Sequence, residues 1–445
     1  MPPGGTRNPG ATFLSALVAL SLLCLACTGS PRGKATVKPT TSAKPAMLED
    51  YLGQDLWKPR DAYDAGHYLM VPLHSAFANR DSAAEEAFST FIRRFLDTGQ
   101  TSLPADAETQ LQFSYVLSRF VVLADRAGRD DLVPPGLDAY LYQKVHQWWV
   151  GQPHPQWGLP NANATMADRL HWILSNPKVT QSYHRAVQDT ELFLLAIAAD
   201  LRQHERLTGR VSGDSTGDLT SALATAEMMF QQLVVPQPGG GWLFQPGVWT
   251  DHDDFLFAGN AQKAGGLQPA KVPGIAEDSS HSFRMPLWLT SLAEAYSADQ
   301  RQHGFYGQLK AGLEQQLFTK VLVPPTADFP GYRLTNFMDG RNGVYRWGHE
   351  GQGPDNGYGP YELSGSLTLG WWAFLGTPRT CQLYQSVSGE FPLPKSVVDT
   401  YTGPNTSRAR NPLVILPDSL SNGFRQLIVR AALDYCQKQA ASTPG

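Results

Sequence analysis

The sequence predicts an all-α fold in which helical hairpins are arranged as a ring. Three observations carry this prediction. Apolar residues recur at spacings of three and four, no β-like alternation recurs along the chain, and the connections are rich in glycine and proline. Helices are predicted over residues 81–96, 106–128, 136–150, 185–207, 220–234, 286–298, 305–321, 362–376 and 423–438.

Two connections, residues 236–278 and 324–360, are longer than the loops of an ordinary compact domain. Because both carry dense polar and aromatic clusters, we expect them to cover a central cleft. The first cluster contains Trp242, Trp249, Asp251, His252, Asp253, Asp254 and Asn260. The second, within 337–367, contains Arg341, Tyr345, Arg346, Trp347, Asn356, Tyr358, Tyr361 and Glu362. An alternative for the second is an Ω-loop that only packs its own aromatic side chains.

The N-terminus indicates export. After Arg7, residues 11–26 form an uncharged apolar run that is too short to span a bilayer comfortably and is typical of a secretory signal. With Cys27 directly after it, the stretch resembles a bacterial lipoprotein signal, which implies a lipid anchor on Cys27 and attachment to a membrane. Plain secretion with an unmodified thiol is the alternative. The predicted organisation is a signal peptide (1–26), a lipidated cysteine with a flexible tether (27–47) and a single domain (48–445).

Composition narrows the class of partner. The formal net charge of −4 argues against nucleic acid, which would require a basic face. Only 17% of residues are charged, whereas 11% are aromatic and eleven are tryptophan. Such a composition suits a surface with sugar-stacking platforms, and it equally suits a large core.

The cysteines beyond the N-terminal region are Cys381 and Cys436. In an exported domain, an even pair of this kind predicts a disulfide, which would join the last helix to the helix after "GWWAFLG". Two isolated cysteines argue against a zinc site built on cysteine, although histidine residues could hold a metal without them.

A short repeat suggests where a site would lie. "DAGHYLMVPL" (64–73) and "DSSHSFRMPL" (278–287) share an aspartate, a histidine three positions later and a proline eight positions later. We therefore expect His67 and His281 to enter the same cavity. We expect the second helix to start near Ser280, capped by Asp278 or the next serine, and to bend at Pro286. The alternative is a simple capping cluster in which His281 bonds a backbone carbonyl.

At these residues the chain resembles (α/α)-toroid carbohydrate-active enzymes, namely polysaccharide lyases of the alginate- and chondroitin-lyase type and related glycosidases and uronyl epimerases. The resemblance covers most of 60–440 and implies an incomplete (α/α) toroid whose long loops roof a central cleft. It implies that Asn260 neutralises a uronate carboxylate, His281 removes the C5 proton, Tyr358 protonates the leaving oxygen and Arg284 holds the substrate carboxylate.

Asp278 and Glu362 complete the predicted catalytic group, and all six side chains are expected to line one cavity. Further sugar contacts are expected from His67, Trp242, Trp249, Asp251, His252, Asp254, Arg341, Tyr345, Trp347, Asn356 and Tyr361. No cofactor is expected. A divalent cation at Asp251, Asp253 and Asp254 is a minor alternative to catalysis or turn capping by these groups.

Three function classes remain open from the residues. β-Elimination from a uronate requires the carboxylate charge to be neutralised, which Asn, His and Arg side chains provide. Hydrolysis requires two carboxyl groups, one of them protonated, and the candidates are Asp251, Asp253, Asp254, Glu277, Asp278 and Glu362. A non-catalytic glycan-binding lipoprotein is the third class. We favour a lyase, because the histidine, arginine, asparagine and tyrosine groups together suit elimination.

Overall fold

Helices form most of the regular structure in the computed structural model of the chain. The structure describes residues 43–154, 163–210, 216–349, 353–404 and 411–442. The predicted signal segment (1–26), Cys27 and the tether as far as residue 42 lie outside the described residues, so the lipid anchor stays a prediction.

The α-helices of the described residues are numbered in chain order. They are α1 (Ala43–Leu52), α2 (Asp61–Tyr68), α3 (Met70–Asn79), α4 (Ser82–Arg94), α5 (Ala107–Ala127), α6 (Leu137–His146), α7 (Met166–Ser175), α8 (Asp189–Thr208), α9 (Thr216–Leu233), α10 (Ser279–Ser282), α11 (Met285–Glu294), α12 (Arg301–Gln316), α13 (Pro378–Gly389), α14 (Lys395–Thr402) and α15 (Phe424–Ser442).

Strands play a minor part in the same described ranges. β1 (Val234–Pro236) pairs antiparallel with β2 (Trp242–Phe244), and β3 (Leu322–Val323) pairs antiparallel with β4 (Arg333–Leu334). The all-α prediction is confirmed.

The long helices begin and end at capping residues that the sequence places there. Asp106 caps α5 by accepting a hydrogen bond from the Thr109 amide, and Gly128 ends that helix in the left-handed conformation, with φ of 65°. Asp81 caps α4 in the same way. Three helices, α4, α6 and α12, each continue into a π-helical turn.

The helices pack as an inner set and an outer set. α5 and α8 are buried along most of their length, whereas α4 and α9 bury one face. α3 contacts α5, α5 contacts α8, and α8 contacts α11. α15 packs against α3, and α11 and α15 both contact the 3-10 helix Trp371–Leu375. On the outside, α4, α6, α9 and α12 pack against α3, α5, α8 and α11 respectively.

The segment 362–376, predicted as one α-helix, instead forms two 3-10 helices, Ser364–Leu369 and Trp371–Leu375. Gly370 separates them with φ of 81°. A Cβ atom at Gly370 would lie 3.0 Å from the side chain of Ala432 and 3.2 Å from that of Val71. The predicted helix type is therefore wrong, because close packing against α3 and α15 sets the backbone here.

The chain from residue 42 to 445 forms one compact unit. Its first helix, α1, starts at Ala43, inside the segment predicted as tether, and Met47 and Leu48 pack against the main core. Helical structure therefore begins within the last residues of the predicted tether. No helix in the described ranges is long and apolar enough to cross a membrane.

The two long connections pack against each other and form a second hydrophobic cluster. Its buried members are Phe255, Ala258, Ile275, Phe337, Tyr345 and Leu363. Isolated β-bridges join Asp278 to Phe337 and Tyr345 to Tyr358. These loops thus have a core of their own, which fixes the side chains they carry.

The structure joins Cys381 in α13 to Cys436 in α15 by a disulfide, with Cα atoms 5.5 Å apart and 55 positions between the cysteines. On the chain-entropy model, a loop of this size stabilises the fold by about 3–4 kcal/mol. We therefore expect the double variant Cys381→Ser/Cys436→Ser to lose about that much free energy of unfolding in a denaturant titration. Two freely alkylated thiols in the native, unreduced protein would contradict the bond.

Candidate functional site

A cavity of about 210 Å³ opens where the two copies of the sequence repeat meet. His67, near the end of α2, and His281, in α10, both line it. Arg284 lines it from the start of α11, and Tyr358 and Glu362 line it from the second long loop. Five of the predicted site residues therefore lie around one cavity.

The repeat explains this convergence. In both copies a histidine segment is followed by a break, and the proline then falls in the first turn of a buried helix, Pro72 in α3 and Pro286 in α11. The predicted bend at Pro286 is replaced by a break at Phe283 and Arg284, between α10 and α11. Because proline tolerates a first turn, the second helix starts one residue before it.

Asp278 holds His281. One carboxylate oxygen of Asp278 accepts hydrogen bonds from the backbone amide (3.0 Å) and hydroxyl (2.5 Å) of Ser280. The other accepts from His281 Nδ1 at 2.7 Å and from the Tyr345 hydroxyl at 3.0 Å. His281 therefore bonds a carboxylate through Nδ1, not the backbone carbonyl of the capping alternative, and its side chain stays 26% exposed.

In the Asp278–His281 pair, each side chain favours the charged form of the other. Burial disfavours the charged imidazole, but the attraction of Asp278 and the hydrogen bond to it outweigh burial, so the pKa of His281 is raised from its ordinary value. Burial likewise opposes ionisation of Asp278, yet His281, Arg346 and Ser280 together hold the pKa of that carboxyl well below its usual range. Asp278 is thus a carboxylate that orients an imidazole able to exchange a proton near neutral pH.

Arg284 and His67 form the floor of the cavity. Arg284 is 2% exposed, forms an ion pair with Asp189 and donates from Nε to His67 Nε2 at 3.1 Å. Burial, followed by the charge of Arg284, lowers the pKa of His67 well below its ordinary value, so this imidazole is neutral. The Arg284 guanidinium is thus already bound to protein groups, and its expected role of holding a substrate carboxylate stays a prediction.

Tyr358 and Glu362 differ in the hydrogen bonds that their side chains already make. The backbone of Tyr358 pairs with that of Tyr345 through two hydrogen bonds of 2.8 and 2.9 Å. Its hydroxyl makes no hydrogen bond within the described part of the chain. Glu362 accepts from Lys263 Nζ at 2.7 Å and from the Gly359 amide at 2.8 Å. Tyr358 is therefore the better placed of the two to act on a ligand.

Asn260 does not line this cavity, which corrects the expectation that it would. Its side-chain amide donates to the backbone carbonyl oxygens of Phe257 (3.2 Å) and Gln268 (3.0 Å). The backbone carbonyl oxygen of Asn260 accepts from the Val344 amide. Asn260 thus fastens the first long loop to itself and to the second loop.

The first loop also uses its predicted tryptophans internally. Trp242 is only 6% exposed, and its Nε1 donates to the Leu309 carbonyl oxygen at 2.7 Å. Trp249 stacks on Phe255 with ring centroids 5.6 Å apart and donates to Glu277 at 3.5 Å. Trp242 is therefore a core residue, which corrects its assignment as a stacking platform, and one face of Trp249 is covered.

The acidic part of the first loop is divided among separate partners. Asp251 pairs with Lys271 at 3.1 Å, and Asp254 pairs with Arg346 at 2.9 Å. His252 contacts Tyr183 edge-on, and its Nδ1 accepts from the Asp254 amide. In the residues that the structure describes, no group of three or more histidine, cysteine, aspartate or glutamate side chains is arranged to hold a metal ion.

The remaining predicted sugar contacts lie outside the cavity lining. Arg341 is exposed and pairs with Asp339 at 2.9 Å. Tyr361 lies beneath the Arg333 guanidinium, 4.5 Å from it. Trp347 packs near Phe257, and Asn356 accepts from the next backbone amide. Tyr345 is 1% exposed, and its hydroxyl donates to Asp278.

The structure adds Arg346 to the site. This residue lines the cavity and has a backbone φ of 54°, a conformation that residues other than glycine rarely adopt. Its Nε donates to Asp254, and within the described ranges its two terminal nitrogens make no hydrogen bond. Arg60, which also lines the cavity, has φ of 70°. Rare backbone conformations of this kind concentrate at functional sites.

Glu277, beside Asp278, lies outside the cavity lining and accepts a hydrogen bond from Gln245 Nε2 at 2.6 Å. Burial raises the pKa of Glu277 to about 8, so it is a carboxylic acid at neutral pH. Of the carboxyl groups considered from the sequence, Glu277 has the environment that a proton donor requires.

Comparison with protein-family models, with curated proteins and with solved structures finds no match to this chain.

Proposed function

We propose that this chain is an exported carbohydrate-active enzyme that cleaves a uronate-containing glycan by β-elimination in the His281 cavity. The observation that carries the proposal is the Asp278–His281 pair, in which the buried Asp278 holds a histidine that lines a cavity together with Tyr358 and Arg346. A base tuned toward neutral pH, a phenol and a cation are the groups that elimination from a uronate requires.

The proposed fold is an (α/α) toroid. In its support, the contacts run from α3 through α5, α8 and α11 to the 3-10 helix Trp371–Leu375, on to α15, and back to α3. The outer helices α4, α6, α9 and α12 pair with the inner ones in turn. In such a ring, the cavity lies at the ends where α3, α5, α8 and α11 begin.

In the proposed reaction, neutral His281 removes the C5 proton through Nε2, and the C4–O bond breaks as the C4–C5 double bond forms. The Tyr358 hydroxyl gives its proton to the departing oxygen. Asp278 stabilises the imidazolium that results. Arg346 takes the neutralising role first expected of Asn260, because its terminal nitrogens can donate two parallel hydrogen bonds to a carboxylate.

Hydrolysis is the second candidate, and it is favoured by the burial of Glu277, which raises the pKa of this carboxyl group. Incubating the purified protein with a panel of acidic and neutral polysaccharides separates the two. New ultraviolet absorbance together with new reducing ends indicates the unsaturated product of elimination. Reducing ends without that absorbance indicate hydrolysis. Binding without any cleavage would indicate the non-catalytic glycan-binding class.

Arg346→Gln is expected to weaken binding of a uronate oligosaccharide by about 10- to 100-fold, because a charge-assisted hydrogen bond contributes about 1.5–3 kcal/mol. Calorimetry in a His281→Ala background, where turnover is blocked, would measure this. Arg341→Gln is the matched control, since Arg341 is exposed, pairs with Asp339 and lies outside the cavity. Equal loss in both variants would point to a general charge effect and would contradict the assignment.

We also propose that the protein is attached to a membrane through lipid on Cys27. Cys27→Ser is therefore expected to move the protein from the membrane fraction to the soluble fraction. Continued sedimentation of that variant with membranes would show that the anchor lies elsewhere.

A further inference from the structure

We propose that Tyr345 is a positioning residue that sets the basicity of His281 through the carboxylate of Asp278. The Tyr345 hydroxyl and His281 Nδ1 donate to the same oxygen of Asp278, at 3.0 and 2.7 Å. The second oxygen accepts twice from Ser280. The carboxylate thus divides its negative charge among four donors, only one of which is the imidazole.

Tyr345 is held rigidly enough for this role. Its ring lies in the loop core, 5.2 Å from the ring of Phe255 and 6.0 Å from that of Phe337. Its backbone pairs with that of Tyr358 on both sides of the bridge. Burial raises the pKa of Tyr345 well above its ordinary value, so the phenol keeps its proton and acts only as a donor to Asp278.

The direction of the effect follows from the hydrogen bonds. Each donor to a carboxylate stabilises its charge and weakens its pull on other donors. Removing the Tyr345 hydroxyl leaves Asp278 a stronger acceptor for the imidazolium, so the proton on His281 is held more tightly. The pKa of His281 should therefore rise. Tyr345→Phe retains the ring that packs against Phe255 and isolates the hydroxyl.

Other groups around His281 stay in place in this variant. Asp189 from the start of α8 favours the charged imidazole, and Arg346 from the second loop disfavours it. His67 in α2 is also close enough to interact with His281. Further titratable groups around the same cavity are Arg60, Tyr63, Asp64, Tyr68, Arg284, His349, Tyr358, Glu362, Tyr401 and Arg425.

An NMR titration of histidine-labelled protein tests the proposal, with the His281 signal identified by its loss in His281→Gln. In Tyr345→Phe the titration midpoint should rise by roughly half a pH unit, and Ser280→Ala should shift it in the same direction. Tyr384→Phe is the matched control, because this buried hydroxyl donates to the Leu367 carbonyl oxygen and not to Asp278, and no shift is expected. An unchanged or lower midpoint in Tyr345→Phe would overturn the proposal.

The route through Asp278 has its own test. In an Asp278→Asn background, Tyr345→Phe should leave the His281 midpoint unchanged, and a full shift there would show that Tyr345 acts on His281 by another path. The catalytic consequence rests on the proposed function: the acid limb of kcat/KM should move upward with the NMR midpoint. A shifted midpoint in a protein that cleaves no glycan would refute the function and leave the role of Tyr345 standing.

Discussion

Replacing His281 with alanine is expected to lower turnover by roughly 10²–10⁴-fold, the usual contribution of a positioned general base. The fold should survive, because the side chain is 26% exposed and its hydrogen bond to Asp278 lies at the edge of the cavity. Steady-state kinetics on a cleaved polysaccharide, together with the midpoint of thermal unfolding, would measure both effects.

Tyr63→Phe serves as the control for this variant, because it removes one hydroxyl from the same cavity wall without touching the Asp278–His281 pair. Wild-type turnover in His281→Ala would remove His281 from the mechanism. The proton transfer would then have to come from Glu277 or another carboxyl group.

Because of the Asp278–His281 pair, activity and the stability that the His281 charge provides are expected to change with pH in opposite directions. His281 has a raised pKa in the fold, so its contribution to stability is complete below its unfolded pKa and disappears as the pH rises through the folded value. Asp278 has a depressed pKa, so its contribution is present above its unfolded pKa and is lost as the pH falls through the folded value. In the proposed elimination, His281 must be neutral to accept the C5 proton. Activity should therefore rise with pH as the stabilising charge on His281 disappears.

Much of the fold could be predicted from periodicity, because long helices bury regular stripes of apolar residues. α5, α8 and α15 fall close to their predicted ranges. The short helices α2, α7 and α14 were not predicted, since eight to ten residues give too few turns for a clear pattern. The 3-10 geometry around Gly370 depends on contacts with α3 and α15, which are distant in sequence.

The site could be predicted where chemistry was duplicated and where the second loop carries a polar cluster, which supplied Tyr358 and Glu362. The repeat pointed to His67 and His281, and both line the cavity. Asp189 gave no such signal, because an aspartate at the start of a helix is usual and its pairing with Arg284 spans 95 positions. Asn260 and Trp242 had the right residue types for a site, but backbone carbonyl oxygens satisfy both. No sequence pattern reveals such partners.

Replacing Arg119 with methionine is expected to destabilise the protein by about 3–5 kcal/mol, the largest effect on stability that we predict. Arg119 is 1% exposed and donates to Asp200 at 2.7 Å, whose side chain is fully buried. Methionine would fill similar space but leave Asp200 as an uncompensated buried charge. Denaturant titration of the purified variant would measure the loss.

A double variant separates the charge from the packing. Arg119→Met combined with Asp200→Leu should recover most of the lost stability, because a buried ion pair replaced by apolar groups of similar volume is often neutral. Lys395→Ala is the surface control: Lys395 pairs with Asp399 at 2.7 Å, but the two side chains are 87% and 59% exposed. Its expected cost is under about 1 kcal/mol. A single variant as mild as this control would contradict the prediction.

The Arg119 variant should also respond to pH. Burial already raises the pKa of Asp200 above its ordinary value, and loss of the Arg119 charge would raise it further. When folding raises the pKa of a carboxyl group, the protein loses stability as the pH climbs from the unfolded-state pKa of that group toward its folded-state pKa. The deficit of Arg119→Met should therefore be largest at neutral pH and shrink in acid.

The buried Arg119–Asp200 ion pair also affects the cavity, because α5, α8 and α11 carry residues of the ion pair's surroundings and residues that hold the cavity. Gln112 and Arg119 are seven positions apart in α5. Arg284, at the start of α11, and Ser291, within it, are also seven positions apart. Each pair therefore lies on one helix face. Arg119 donates to Ser291 at 3.2 Å. Two turns earlier, Gln112 and Arg284 both contact His67. In Arg119→Met, local loosening should reach His67 and lower kcat at temperatures below unfolding, whereas the apolar double variant should keep wild-type kcat.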